Sequence, residues 1–273
     1  MELKVRKWKS VSKAYQYLSF IGSPKRERFP DDEACMSYLA ELQWRKGYSC
    51  PQCGHQKYCA GIHKHDRQCT KCNYLESPTA GTLFHRRKFS LIKAFYIVYY
   101  IATSKKGIST TELNRRLELR QKTCWLLKQE VMKAMESSGN SLIDGAVEVD
   151  ETYVGGQEED SWGRNEGRKK TTVIAIEKKG RGISRMYGKV IPTAKKKHLR
   201  EFMISHINKD ANIRTDKWNG YKGLESIFRN LIQEKSERKG KNFNQMHRSI
   251  MLFKAWLRGI HHSVNYLQSY INE

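Results

Sequence analysis

VEVDETYV, residues 147 to 154, is the stretch that decides the fold of this chain. Its β-branched and aromatic residues favour a β-strand, and Gly155-Gly156 ends the run. The period of two in a strand places Glu148 and Asp150 on one face and the valines on the other. A carboxylate inside an apolar strand costs free energy unless a positive group lies beside it. The run therefore indicates either a strand whose acids hold a divalent cation or a solvated edge strand whose acids face water.

The composition of the whole chain indicates a polyanionic partner. The 273 residues include 51 Lys+Arg against 28 Asp+Glu, which gives a formal net charge of +23 and a pI near 9.7. Nucleic acid is the first candidate for that partner, and an anionic membrane surface is the second. No apolar run approaches the ~18 residues that span a bilayer, and no apolar segment typical of a secretory signal follows the basic start. We therefore expect a cytoplasmic, nucleoid-associated protein without a membrane segment.

Two Cys-x-x-Cys pairs predict a structural zinc site. Fifteen residues separate the pair Cys50-Pro-Gln-Cys53 from the pair Cys69-Thr-Lys-Cys72, a spacing typical of a zinc ribbon. Thiolates on two tight turns can close a tetrahedral site around one Zn²⁺. The other interpretation is a loop of reduced cysteines without a metal, and the odd total of seven cysteines fits a reducing compartment. Four further residues are second choices as ligands: His55, Cys59, His63 and His65.

The chain on both sides of this ribbon is predicted to be helical. Residues 1–45 have the pattern of helical pieces, with a helix start at Phe29–Glu33, where acids occupy the first turn. A buried helix is predicted over 91–102, and Ser109 begins further helices that reach about residue 137. Helix, turn and helix in this order resemble a helix-turn-helix unit and indicate contact with DNA. Any three-helix bundle shows the same pattern, so this interpretation depends mainly on the positive charge.

After residues 137–140 the pattern changes from helices to strands. The predicted order is β-β-β-α-β-α-β-α, with elements at 147–154, 171–177, 183–191, 193–207, 212–216, 224–228, 231–232 and 246–273. This is the order of the RNase-H-like fold, whose sheet is mixed and five-stranded. The metal-binding acids of that fold lie on its adjacent first and fourth strands, here at Asp150 and Asp216. A third ligand is expected from the last helix, where His247 lies about two turns before Lys254.

Five motifs stand in a fixed order between residues 50 and 264. They are Cys-Pro-x-Cys, Cys-x-x-Cys, Val-Asp-Glu-Thr-Tyr-Val-Gly-Gly, Thr-Asp-x-x-x-Gly-Tyr and Phe-Lys-Ala-Trp-Leu-Arg-Gly-Ile-His-His-Ser-Val. In these motifs the sequence resembles bacterial DDE-type insertion-sequence transposases that carry an N-terminal zinc ribbon. We therefore expect an α+β multidomain chain with four parts: an N-terminal helical segment at 1–45, a zinc ribbon at 46–76, a helix-turn-helix-like domain at 77–138 and an RNase-H-like catalytic domain at 139–273.

The resemblance implies a DNA transposase, a metal-dependent polynucleotidyl transferase. Such an enzyme binds the inverted-repeat ends of a mobile element in double-stranded DNA and catalyses cleavage and strand transfer into target DNA. The resemblance also implies a homo-oligomer in the synaptic complex. Two catalytic Mg²⁺ or Mn²⁺ ions are expected at Asp150, Asp216 and a third ligand. The family has Glu at this third position, and its group commonly replaces it with Asn, whereas this chain has His247, with Asn244 as the other candidate.

The chemistry of the remaining candidates follows from their residue types. A histidine in place of the third carboxylate favours Mn²⁺ relative to Mg²⁺. Lys254 is expected to contact a DNA phosphate near the cut. Glu151 faces away from Asp150 along the strand and is expected to be structural, and His261 and His262 are expected to pack or to contact DNA rather than to bind metal.

Three other functions compete with the active transposase. The first is a DNA-binding protein derived from a transposase that is catalytically silent through His247 or through truncation. The second is a zinc-ribbon transcription factor, which leaves the spacing of Asp150 and Asp216 unexplained. The third is a stand-alone RNase-H-like nuclease, which does not need the two N-terminal modules. Metal-dependent nicking of end DNA separates the first alternative from the transposase.

Overall fold

The computed structural model of the protein describes most of the chain, which divides into two compact units. The described residues are 28–104, 106–136, 141–156, 169–180, 182–261 and 265–273. One unit comprises residues 1–135 and the other residues 136–273. The helical pieces expected before residue 28, the boundary at 137–140 and the role of His262 lie outside the described residues. The four domain boundaries stay predictions.

A helix and a small sheet open the described part of the first unit. Helix α1 (Asp32–Trp44) precedes strands β1 (Tyr58–Ala60), β2 (Arg67–Cys69) and β3 (Leu75–Glu76), which form an antiparallel sheet in the order β1-β2-β3. The carboxylate of Asp31 caps α1 by accepting a 2.8 Å hydrogen bond from the backbone N–H of Ala34. The helix start predicted from the acids at Phe29–Glu33 is thereby confirmed.

Helices α2 (Leu91–Thr103), α3 (Thr110–Leu117) and α4 (Gln121–Ala134) follow the ribbon and share one apolar core. Ser109 caps α3 as predicted, because its hydroxyl accepts a 3.1 Å hydrogen bond from the backbone N–H of Glu112. Glu118 adopts the left-handed conformation, with φ 53°, and turns the chain from α3 toward α4. The predicted helix, turn and helix are therefore present in this unit.

Asp32 joins the start of α2 to α1. Its carboxylate accepts hydrogen bonds from the Ser90 hydroxyl at 2.7 Å and from the backbone N–H of Ile92 at 2.9 Å. The first N–H groups of a helix have no acceptor within the helix, so this carboxylate satisfies one of them. Helices α1 and α2 also pack on each other, although the whole ribbon lies between them in the sequence.

The second unit is built on a mixed five-stranded sheet. Its strands follow the spatial order β6-β5-β4-β7-β8, in which β5 is antiparallel to β4 and β6, and β7 is parallel to β4 and β8. The elements are β4 (Ala146–Val154), β5 (Lys170–Lys179), β6 (Gly182–Ile191), α5 (Lys196–His206), β7 (Asn212–Thr215), β8 (Leu231–Gln233), α6 (Asn244–Ile260) and α7 (Leu267–Asn272). This confirms the RNase-H-like α/β architecture of the second unit. The alternative of a solvated edge strand is wrong, because β4 is the central strand.

One face of the sheet packs on α5 to form the core of the second unit. Val147 and Val149 point from β4 into this core, where they join Phe202 of α5 and Ile213 of β7. All four side chains are almost completely buried. The alternation of valine and acid in the central strand therefore turns its apolar side toward α5, as its period of two requires.

Two predicted helices differ from the structure. Residues 224–228 form turns rather than a helix, since the segment is short and follows Gly223, whose φ is +80°. The final helix is interrupted: α6 ends at Ile260 and α7 begins only at Leu267. The ring of His261 stacks on the ring of Tyr270, with centroids 3.8 Å apart, whereas a continuous helix would hold these two residues more than two turns apart.

The helix before β7 also starts later than predicted. Thr193 does not cap α5, which begins at Lys196, and its hydroxyl instead lies 3.1 Å from Nδ1 of His198. Among the described residues, no helix combines the length and the apolar character needed to cross a bilayer.

Candidate active site and metal centres

The four paired cysteines come together at one point of the ribbon. Their Sγ atoms all lie within 4.8 Å of one another. The distance is 3.5 Å between the sulfurs of Cys50 and Cys72 and 3.6 Å between those of Cys53 and Cys69. Four thiols at this separation offer the complete ligand set of a tetrahedral structural zinc site.

Two equivalent turns hold the cysteines in place. In the first turn the backbone N–H of Gly54 donates to the carbonyl of Cys50 at 2.9 Å, and in the second the N–H of Asn73 donates to the carbonyl of Cys69 at 3.0 Å. Gly54 and Asn73 both have positive φ, +72° and +58°. Glycine and asparagine tolerate this conformation best, which explains these residue types after each pair.

The electrostatics of the cluster favour a bound cation. Burial alone would raise the pKa of the Cys50 thiol, but backbone N–H groups of Cys53 and Gln52 outweigh it and lower this pKa to about 6. The backbone of Tyr74 favours the thiolate of Cys72, yet burial and the neighbouring thiols raise the pKa of Cys72 to about 12. The thiols therefore cannot all ionise together without a positive ion among them, and Zn²⁺ would supply that charge.

The other candidates for zinc ligation lie outside this cluster. The imidazole of His55 lies 3.1 Å from the hydroxyl of Thr70, and that of His65 lies 2.8 Å from the carboxylate of Glu33. Cys59 is exposed on β1, and its thiol lies 3.6 Å from the carbonyl of Gln68. Among the described residues the ribbon thus offers one four-cysteine cluster and leaves these side chains to local hydrogen bonds.

Two acids meet where β4 and β7 lie side by side. The parallel ladder between the strands ends with Val149 opposite Thr215. The next residues are Asp150, still within β4, and Asp216, the first residue after β7. One carboxylate oxygen of each belongs to a group whose ligand atoms all lie within 4.8 Å of one another. The structure thus brings together the two acids that the sequence predicts as metal ligands.

Glu151 is the third member of that group, and the expectation that it has only a structural role stays untested. Its side chain does leave β4 on the core side, opposite to Asp150. However, β7 ends at Thr215, so from Asp150 onward this edge of β4 is no longer paired with β7. The chain after β7 folds into this space, and Asp216 reaches the carboxylate of Glu151 around the edge of the strand.

Glu148 is the acid with a structural role. Its side chain is 1% exposed, and one carboxylate oxygen lies 2.9 Å from Nζ of Lys178 and 3.5 Å from Nη1 of Arg214. Arg214 also forms a 2.7 Å pair with Glu234. Two cations therefore balance the buried charge of Glu148, and it has no place in the metal-binding group.

A tight turn fixes Asp216 after β7. The carboxylate of Asp216 accepts a 3.0 Å hydrogen bond from the backbone N–H of Trp218. The side-chain amide of Gln233 on β8 donates to the carbonyl of Trp218 at 3.1 Å, and the indole N–H of Trp218 donates to the carbonyl of Ala194 at 2.8 Å. These bonds anchor both the backbone and the indole of the turn.

Tyr221 closes the same turn from inside the core. It is fully buried, and its hydroxyl donates a 2.9 Å hydrogen bond to the carboxylate of Glu151. Burial raises the pKa of Tyr221 well above 10, and the nearby charges of Glu151, Asp150 and Asp216 raise it further. The hydroxyl therefore stays protonated and remains a hydrogen-bond donor.

Helix α6 packs against β4 and presents the remaining predicted residues. Lys254 is half-buried; burial lowers its pKa, as do Lys169 and Arg258, whereas Asp150 opposes this change. His247 and Asn244 are both exposed near the start of the helix. Among the described His, Cys, Asp and Glu side chains, His247 does not belong to the acid group, so its role as third ligand stays a prediction.

The acid group fits a hard divalent cation. It presents three carboxylates close together, and Mg²⁺ or Mn²⁺ prefers oxygen ligands of this kind. Like charges at this distance repel one another unless a cation lies between them. Asp150, Glu151 and Asp216 would hold such an ion, with Lys254 as a nearby positive charge.

Sequence reasoning missed the contribution of Glu151 and Tyr221. Glu151 belongs to the motif VDETYVGG, and Tyr221 belongs to the motif Thr-Asp-x-x-x-Gly-Tyr. Their link forms between residues 70 positions apart, and no periodicity within one element reveals it. The signal in the sequence that could have indicated a role for Glu151 is its position as an acid on the apolar face of a strand that otherwise carries valines there.

Comparison with known proteins identifies a transposase domain in each of two parts of the chain. Residues 30–75 match the family model of a transposase zinc-ribbon domain, and residues 142–273 match that of an ISXO2-like transposase domain. Over 147 residues the chain is 28% identical to the "Uncharacterized protein in transposable element ISH50" of Halobacterium salinarum. The match covers 51% of this chain and 49% of that protein, so it spans about half of the curated relative's length. The chain therefore combines a transposase zinc-ribbon domain with an ISXO2-like transposase domain.

Proposed function

We propose that the protein binds the inverted-repeat ends of a mobile element and catalyses metal-dependent DNA cleavage and strand transfer. The observation that carries this proposal is the meeting of Asp150, Glu151 and Asp216 at the centre of an RNase-H-like sheet. The match of residues 142–273 to a transposase domain supports it. Double-stranded DNA is the substrate, both as element end and as target.

The acids act by holding cations at the cut. Asp150 and Asp216 would bind two divalent ions, Mg²⁺ or Mn²⁺, with His247 of α6 as a further proposed ligand. When bound, such ions activate the attacking oxygen and stabilise the leaving oxygen at phosphorus. The rigid ladder between β4 and β7 fixes the first two carboxylates, because each follows the last pair of that ladder.

Lys254 is proposed to bind a phosphate beside the cut. It shares its surroundings with Lys169 and Arg258, whose positive charges lower its pKa, and with Asp150, whose negative charge raises it. A half-buried ammonium group beside two other cations attracts a phosphate oxygen, which relieves their mutual repulsion. This residue therefore positions the DNA backbone next to the acid group.

The first unit is proposed to bind DNA. The formal charge of +23 on the chain supports this role. Helices α3 and α4 carry the exposed cations Arg115, Lys122 and Lys133, and Arg120 lies exposed between them. The zinc ribbon carries further exposed lysines, Lys57 and Lys71. We also propose that two or more copies of the chain join the element ends in a synaptic complex.

Nicking of labelled DNA tests the proposal. Duplexes taken from the DNA on either side of the coding region are incubated with the protein in Mg²⁺ or Mn²⁺. Wild type is expected to nick one end specifically, whereas Asp150→Asn and Asp216→Asn are expected to lose the activity by several orders of magnitude. The exposed Asp210→Asn is the matched control and is expected to cleave normally.

Two outcomes contradict the proposal. Cleavage at the wild-type rate by Asp150→Asn or Asp216→Asn removes the catalytic role of these acids. Specific binding by wild type without cleavage in either metal ion identifies a catalytically silent DNA-binding protein derived from a transposase.

A further inference from the structure

The carboxylate of Glu151 lies in an unusual position for a metal ligand, because it leaves β4 on the face that builds the core. Glu151 is 8% exposed, and Val147 and Val149, which precede it on the same face of β4, are core residues. A carboxylate there loses most of its hydration, which costs free energy unless hydrogen bonds or cations replace the water. A purely structural role would be filled better by another valine.

Tyr221 supplies the hydrogen bond that Glu151 receives from the core. The tyrosine is fully buried, and the 2.9 Å bond joins the turn after β7 to strand β4. A carboxylate offers about four acceptor positions, so one hydrogen bond still leaves it able to bind a cation. The bond also fixes the orientation of the carboxylate, as hydrogen-bond partners of metal ligands commonly do.

The turn that carries Tyr221 also carries Asp216. Gly220 allows the close approach of this turn to α5, since a Cβ atom at that position would lie 2.7 Å from the carbonyl oxygen of Ala194 and 2.7 Å from Cδ1 of Leu199. The six residues from Asp216 to Tyr221 therefore connect the end of β7 to the core, and glycine is the residue type that fits at position 220. Pulling Tyr221 toward Glu151 places Asp216 beside Asp150.

We propose that Tyr221 is a positioning residue of the metal site, which holds Glu151 as an additional carboxylate ligand beside Asp150 and Asp216. The inference rests on the proposed function, because it assumes that the acid group binds divalent cations. It adds a ligand to the site and leaves the proposed role of His247 on α6 open. It also gives a common reason for Glu151 in one motif and Gly220 and Tyr221 in the other.

Titration with Mn²⁺ tests this inference without any cleavage assay. Free Mn²⁺ is followed by electron paramagnetic resonance while the zinc-loaded, full-length protein is titrated. Tyr221→Phe removes only the hydroxyl, and Glu151→Gln removes the charge with little change of shape. Each is expected to weaken Mn²⁺ binding by 10-fold or more, the usual effect of losing a partner or ligand in a metal site.

Matched variants control for the change of residue type. Tyr187→Phe removes a hydroxyl that donates a 2.8 Å bond to the carbonyl of Ser141, and Glu177→Gln neutralises an acid paired with Arg185 on β6. Both are expected to bind Mn²⁺ like wild type. The thermal midpoint of every variant shows that each measurement is made on folded protein.

The outcomes separate the two proposals. If wild type does not bind Mn²⁺, or if Asp150→Asn does not abolish the binding, the proposed function fails. If Asp150→Asn and Asp216→Asn abolish binding but Tyr221→Phe and Glu151→Gln bind like wild type, only the positioning role is overturned. If Tyr221→Phe does not fold, Glu151→Gln decides, and wild-type affinity in that variant overturns the inference.

Discussion

Val149 and Thr215 face each other as the last pair of the parallel ladder between β4 and β7. Each is followed by an acid, Asp150 on one strand and Asp216 on the other. Backbone pairing thus brings together two carboxylates that are 216 − 150 = 66 positions apart in the sequence. The ladder is the scaffold of the site, and the side chains around it complete the ligand set.

The ribbon is expected to contain one zinc ion per chain. Cys53→Ser removes one of four clustered thiols, so we expect it to lose zinc and to unfold the ribbon, which has too small a core to fold without metal. Metal analysis and limited proteolysis measure both effects. Cys59→Ser changes an exposed cysteine of the same ribbon and should keep its zinc; equal zinc contents in the two variants would argue against the site.

DNA binding is expected to depend strongly on salt and to survive the loss of catalysis. Each phosphate neutralised adds ~0.9 to the slope of log affinity against log salt concentration. A chain with a formal charge of +23 should therefore give a steep slope with end-sequence duplex. Asp150→Asn should bind as tightly as wild type. A slope near zero in a fluorescence anisotropy titration would contradict this expectation.

The role of His247 is expected to depend on the metal ion. If it is a ligand, His247→Ala should lose most nicking activity, and His247→Glu should retain or raise it in Mg²⁺, because glutamate is a harder ligand. Nicking in Mg²⁺ and in Mn²⁺ measures the difference, with the exposed His63→Ala as control. Wild-type activity in both His247 variants would contradict its role as a ligand and leave Asn244 as the other candidate for the third ligand.

The buried ion pairs of Glu148 are expected to stabilise the second unit. Glu148→Ala removes the carboxylate that pairs with both Lys178 and Arg214. We therefore expect the free energy of unfolding to fall by about 3 kcal/mol. Urea unfolding measures the change. Glu225→Ala, at an exposed position, should change the stability by less than about 0.5 kcal/mol.

Glu177 is expected to make stability depend on pH in the acid range. Hydrogen bonds from Ser184 and from the backbone N–H of Asp144, together with Arg185, lower its pKa below the ordinary 4.5. A lowered pKa stabilises the fold above pH ~4.5, and this contribution disappears as the pH falls through the folded-state value. Glu177→Gln should therefore be less stable than wild type at pH 7 and equal to it in strong acid, as measured by thermal unfolding.

The features that depend on neighbouring residues in the sequence were predictable. The thiol spacing of the ribbon, the Ser109 cap and the strand character of 147–154 follow from local chemistry and were confirmed. The position of Glu151 was not predictable, because it depends on where β7 ends and on the fold of the next turn. The end of α6 at Ile260 was not predictable for a similar reason, since the apolar stripe continues in the sequence and the contact between His261 and Tyr270 forms only in the folded chain.

The bond from Asp32 to the start of α2 has a consequence for how zinc acts on the rest of its unit. It closes a loop between residues 58 positions apart, and the ribbon is part of that loop. The entropy lost on closing a loop grows with the number of freely moving residues, by about 0.6 kcal/mol for each doubling. Zinc bound by the four cysteines would hold residues 50 and 72 together. The residues between them would then no longer count among the freely moving residues of the loop. The ion therefore stabilises the contact between α1 and α2 by shortening the free chain that joins them, although it touches neither helix start.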